Sequence, residues 1–104
     1  MSRYAPDKWK LIKLTSTEKG THYRVLAGWY GGYTGGDSWK ISSGVEKTTE
    51  FHDRYEYLNT SGSLYVCYKG AEGTSSYMRE VFEGYAEQNS DSLKIEIYNE
   101  GYII

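Results

Sequence analysis

The chain has 104 residues, 38 % hydrophobic and 25 % charged, with a formal net charge of −2. That length suits one domain, residues 1–104, with its own core, and the wealth of aromatic and β-branched residues excludes wholesale disorder. A net charge so small names no partner, although residues 1–45 carry seven Lys/Arg against three Asp/Glu and residues 46–104 carry five against eleven. Such a division marks two electrostatically different faces, unless the two halves interleave in one sheet.

Residues 1–7 read as a polar lead-in, with Pro6 opposing regular structure. Residues 9–14 (Trp-Lys-Leu-Ile-Lys-Leu) read as a strand. Its alternation slips between Leu11 and Ile12, which fits a bulge or a strand covered on both faces. After turn residues 15–20, a second strand over residues 22–30 puts Tyr23, Val25, Ala27 and Trp29 on one face and Arg24, Leu26, Gly28 and Tyr30 on the other. The two make a hairpin. Beyond a Gly-rich segment, residues 38–43 read as a strand with Trp39 and Ile41 inward, and Gly44 marks a bulge or bend. Residues 45–51 continue extended, with Val45, Lys47, Thr49 and Phe51 on one face.

His52-Asp53 is a turn, residues 54–59 a strand alternating through Tyr55 and Tyr57, and residues 60–63 (Thr-Ser-Gly-Ser) a strong turn signal before a partner strand over residues 64–69. The hydroxyls at residues 74–76 offer an N-cap. A helix over residues 76–89 then shows Met78, Val81, Phe82 and Tyr85 on one face and Glu80, Glu83 and Glu87 on another, with Arg79 able to meet Glu83. Gly84 weakens that helix and suggests a close approach to the sheet. Asn89-Ser90-Asp91-Ser92 ends it, and Leu93, Ile95 and Ile97 alternate in a last strand before an apolar tail, Gly101-Tyr102-Ile103-Ile104. The tail either tucks into the domain or contacts another chain. The expected fold is α+β: a twisted antiparallel sheet of about five to seven strands, with one helix near residues 76–89 packed on one face.

Twelve tyrosines and three tryptophans leave the aliphatic core thin, so aromatics must share the packing. They are densest over residues 28–39, Gly-Trp-Tyr-Gly-Gly-Tyr-Thr-Gly-Gly-Asp-Ser-Trp. This segment has no Gly-Lys pair and no following helix, so it is not a phosphate loop. It reads as a hairpin loop whose aromatics either close the core or anchor a partner. Trp29, Tyr30, Tyr33, Asp37 and Trp39 are the candidate partner-binding residues there, joined by the acidic stripe Glu80, Glu83 and Glu87.

His22, His52 and Cys67 are the alternative, as a small enzyme's site, but no pair has metal-ligand spacing. A lone cysteine in a strand of Leu-Tyr-Val-Cys-Tyr reads as a buried hydrophobe and allows no internal disulfide. Neither a metal nor another cofactor is expected. Tyrosine-rich sheets stack single-stranded bases, but the acidic second half opposes a nucleic-acid groove. No apolar run has the length of a membrane span or the form of a signal peptide, so the expected location is the cytoplasm.

Residues 25–33 (Val-Leu-Ala-Gly-Trp-Tyr-Gly-Gly-Tyr) and 36–44 (Gly-Asp-Ser-Trp-Lys-Ile-Ser-Ser-Gly), with Ser61-Gly62-Ser63-Leu64-Tyr65 and Tyr68-Lys69-Gly70, resemble small uncharacterised accessory proteins of bacteriophages over residues 22–77. The resemblance attaches no catalytic residue. It implies a binder that blocks or redirects a bacterial host protein, defence proteins included, within the host cytoplasm. The expected function is therefore a non-enzymatic protein-binding factor acting by occlusion. The alternatives are a domain that sequesters a small ligand or nucleotide, and the enzyme above. Self-association through edge strands or the tail fits each of these.

Overall fold

The computed structural model describes residues 2–31, 36–89 and 93–104. Among these, eight strands form two four-stranded sheets and one helix accompanies them, an α+β fold. The strands are β1 (Arg3–Tyr4), β2 (Lys8–Ser16), β3 (Gly20–Trp29), β4 (Ser38–Ile41), β5 (Val45–Glu50), β6 (Arg54–Asn59), β7 (Leu64–Tyr68) and β8 (Lys94–Ile97), and the helix is α1 (Ser76–Gln88). One sheet has the order β1-β7-β6-β5 and the other β4-β3-β2-β8. All pairings are antiparallel except β1 with β7. The strands expected in one sheet are thus divided between two.

The division follows the chain. β2, β3 and β4 stay together, β5, β6 and β7 stay together, and β1 and β8 each cross to the other group. The bend over residues 42–44 carries the chain between the sheets. Ser42 is buried there, its N–H donates to Val25 O, and its Oγ accepts from Val25 N at 2.8 Å. The residue that leaves the ladder thereby keeps Val25 satisfied.

The slip at Leu11/Ile12 is a strand covered on both faces. Trp9 and Leu11 join Val25, Ala27, Tyr55, Tyr57, Tyr65 and Cys67 between the sheets. Ile12 and Leu14 join Leu26 and Met78 under α1. The result is three layers: sheet, sheet, helix. Trp9 is central to the inter-sheet layer, with its ring centroid about 6 Å from those of Tyr55, Tyr57 and Tyr102. The lead-in, described from residue 2, is more ordered than its polarity suggests, because Arg3 and Tyr4 pair with Leu64 and Tyr65 and Pro6 is buried. In β5 the register shifts between Val45 and Lys47, so Thr48 and not Lys47 or Thr49 joins Val45 in partial burial. A one-residue shift reverses every face beyond it.

The tail tucks inward. Tyr102 stacks on Tyr55 (centroids 4.9 Å, 19° between planes), its carbonyl accepts from the Tyr57 hydroxyl at 2.9 Å, and its own hydroxyl donates to Glu72. Thr48 Oγ1 donates to Ile104 O at 3.1 Å, leaving only Ile103 outward.

Burial raises the Tyr57 and Tyr65 hydroxyl pKa values, that of Tyr65 to about 12 with smaller contributions from Tyr4 and Cys67. Both hydroxyls stay protonated in the folded state at pH values where the unfolded chain ionises. Their stabilisation is therefore complete below pH 10 and is lost as pH climbs from 10 towards 12. Urea unfolding at pH 9 and pH 11 should show a lower midpoint at pH 11, with Tyr65 alone contributing about 1.4 kcal/mol per pH unit in that window. Tyr65→Phe should make the decline shallower.

Candidate functional site

The helix that carries the acidic stripe starts where Ser75 Oγ accepts from Met78 N at 3.2 Å. Met78 is buried against Gly28 of β3, and a Cβ on that glycine would lie 2.5 Å from Met78 Sδ and 2.6 Å from Cγ. The close helix–sheet approach expected at Gly84 occurs at Gly28 instead. A Cβ at Gly84 meets nothing within 4 Å. The two glycines should therefore respond oppositely to alanine. Gly28→Ala should destabilise by about 1–3 kcal/mol through overpacking. Gly84→Ala should stabilise by about 1 kcal/mol through helix propensity. Thermal unfolding of both variants checks the pair, and equal shifts would contradict this packing.

The Gly-rich segment joins β3 to β4 as a hairpin, with Gly28 opposite Trp39 and Trp29 opposite Ser38. Residues 32–35, and with them the candidate Tyr33, lie outside the described residues. Two carboxylates hold the base of the loop. Asp7 Oδ2 accepts from Tyr30 N and Asp37 Oδ1 accepts from Gly31 N, each at 2.8 Å. Gly31 has φ 52°, the left-handed region that glycine enters without strain.

The candidates separate by role. Trp29 turns inward: its Nε1 donates to Ala5 O at 3.1 Å and its ring meets Tyr4 edge-on. It closes the core. Tyr30 and Trp39 turn outward, 53 % and 43 % exposed. Asp37 fixes the loop backbone, while Glu80, Glu83 and Glu87 are exposed along α1. Trp39, expected inward beside Ile41, instead flanks α1 and lines a groove with Glu80, Val81, Gly84, Tyr85 and Gln88. An aromatic from the loop hairpin and an acid from the helix are thus brought together. Arg79 and Glu83 form no ion pair with each other among the described residues; both line a separate cleft of about 270 Å³, against the β8 edge, with Thr74, Phe82, Ile97 and Asn99.

Asp7 and Gly84 were not legible as parts of this surface. Asp7 reaches Tyr30 across the fold, and a helical glycine reads locally only as a weak point. His22 lies on β3 and His52 on the β5–β6 turn, in different sheets. Burial, then Arg24 and Lys19, push the His22 imidazole below its ordinary pKa. Cys67 is fully buried and its thiol is pushed well above its ordinary pKa by that burial, which keeps it protonated and unreactive. Among the described residues no group of His, Cys, Asp and Glu is arranged to hold a metal, and no helix is long and apolar enough to cross a membrane. Comparison of the chain with protein-family models, curated proteins and solved structures finds no match.

Proposed function

We propose that the chain is a non-enzymatic protein-binding factor, a phage accessory protein that inhibits a bacterial host protein by covering part of its surface. The observation that carries this reading is the outward pair Tyr30 and Trp39 on a hairpin whose base is pinned by Asp7 and Asp37. Aromatic anchors on a fixed backbone bury large area while losing little entropy on binding. The exposed glutamates of α1 favour encounter with a basic surface. The phage and host parts of the reading rest on the resemblance of the Gly-aromatic segments. Capture from bacterial lysate by the intact chain and by a Tyr30→Ala/Trp39→Ala variant, with mass spectrometry of what is retained, tests it. The intact chain should retain a protein that the variant loses; equal recovery by both counts against the reading.

The cleft beside Phe82 supports a second reading, sequestration of a small ligand or nucleotide, because apolar Phe82 and Ile97 share it with Arg79, Asn99 and Thr74. A ligand bound only by the folded state must raise the melting temperature. No shift with saturating nucleotides or cyclic dinucleotides would remove this reading.

A further inference from the structure

The groove between β4 and α1 has about 220 Å³ of open space, room for one long side chain, and among the described residues no cation lines it. Three of its features are independent. The Trp39 indole stands exposed on a strand, not packed under the helix. Gly84 leaves open the position where any other residue would place a Cβ, although glycine is the poorer helix former there. Glu80 brings a carboxylate into the same groove, and Glu83 lies exposed on the same stripe of the helix.

We propose that this groove takes an arginine side chain from a basic segment of a protein partner. The inference rests on the protein-binding reading above and names the chemistry of the partner. A guanidinium stacks on an indole face and pairs with a carboxylate through a planar fork, two interactions that one arginine makes together. Val81 and Tyr85 offer apolar surface to its methylene stem. An anionic or purely apolar occupant would leave Glu80 repelled or desolvated without a partner.

The test is a titration of the intact chain, followed by its indole N–H signals in NMR, with peptides alternating Ala with Arg or Ala with Lys at physiological salt. Addition of the Arg peptide should shift the Trp39 signal saturably. Those of Trp9 and Trp29 should stay, since their N–H groups are bonded to Tyr68 O and Ala5 O. Gly84→Leu, which fills the groove while improving the helix, should weaken binding at least about tenfold with no loss of melting temperature. Glu80→Gln should weaken it several-fold. A silent Trp39 signal, undiminished binding by Gly84→Leu, or equal binding of the Lys peptide would each overturn the proposal. Lysate capture separates the two readings. A partner retained by Gly84→Leu but lost by Tyr30→Ala sinks the arginine groove and keeps the protein-binding reading. Arg-peptide binding at Trp39 with no protein captured from bacterial lysate supports the groove and counts against a bacterial host protein as its partner.

Discussion

Replacing Trp9 with alanine is expected to lower the free energy of unfolding by about 3–5 kcal/mol. Trp9 is fully buried where the two sheets meet. Its loss opens a cavity among Tyr55, Tyr57 and Tyr102, and stiff rings on opposing sheets collapse poorly into such a space. It also removes the indole N–H that donates to Tyr68 O at 2.7 Å. For a domain stable by about 5–15 kcal/mol, that is a large fraction of the total. Urea unfolding monitored by circular dichroism measures it. Trp9→Phe should cost less, because a ring remains. Trp39→Ala should stay within about 0.5 kcal/mol, because that ring is largely outside the core. Equal costs for Trp9→Ala and Trp39→Ala would contradict the placement of both residues.

A chain lacking residues 101–104 is expected to lose about 2–6 kcal/mol, from the ring contacts and the orphaned hydroxyl together. The Tyr102 ring stacks on Tyr55 and meets Trp9, and such aromatic pairs contribute about 0.5–1.5 kcal/mol each beyond their area. Removing the Tyr102 carbonyl leaves the buried Tyr57 hydroxyl without its acceptor, at a cost of about 1–3 kcal/mol. Glu72 would keep Lys10 at 2.7 Å but lose the tyrosine hydroxyl. Tyr102→Phe isolates that last contact and should cost about 1 kcal/mol. Ile103→Ser should be nearly neutral, since Ile103 is 62 % exposed. Sedimentation of the intact and shortened chains separates stability from assembly. An unchanged mass with a lowered melting temperature marks the tail as part of the core. A mass that falls on shortening marks Ile103 as a contact between copies.

The helix and the first hairpin were legible because each has a face to bury and writes that face into its own period. Met78, Val81, Phe82 and Tyr85 recur at helical spacing, and Val25 and Ala27 alternate with Leu26 and Gly28. Of the candidate surface, the acidic stripe of α1 was legible in the same way, whereas the facing of Tyr30 was not, because alternation places it with Leu26 and Gly28, which are buried, and only the end of the strand turns it outward. Trp39 was read as covered although it stands exposed, because alternation shows that Trp39 and Ile41 share a face but not how far the helix covers it. The β5 register failed for a related reason: a bulge is set by the pairing with β6, and Val45 to Thr49 contain no local sign of it.

What the sequence by itself determined, then, is the strands from Lys8 onward, the helix over residues 76–88 and the facing of most of their side chains, since these follow from local periodicity. Tertiary structure alone decided that the strands divide into two sheets, that Arg3 and Tyr4 cross to the far one, and that Tyr102 enters between them. It also decided that helix and sheet close up at Gly28 while a groove stays open at Gly84. Each of these depends on which apolar surfaces meet across long stretches of chain. That choice is made by the joint packing of aromatic rings and the satisfaction of backbone groups, neither of which any single segment encodes.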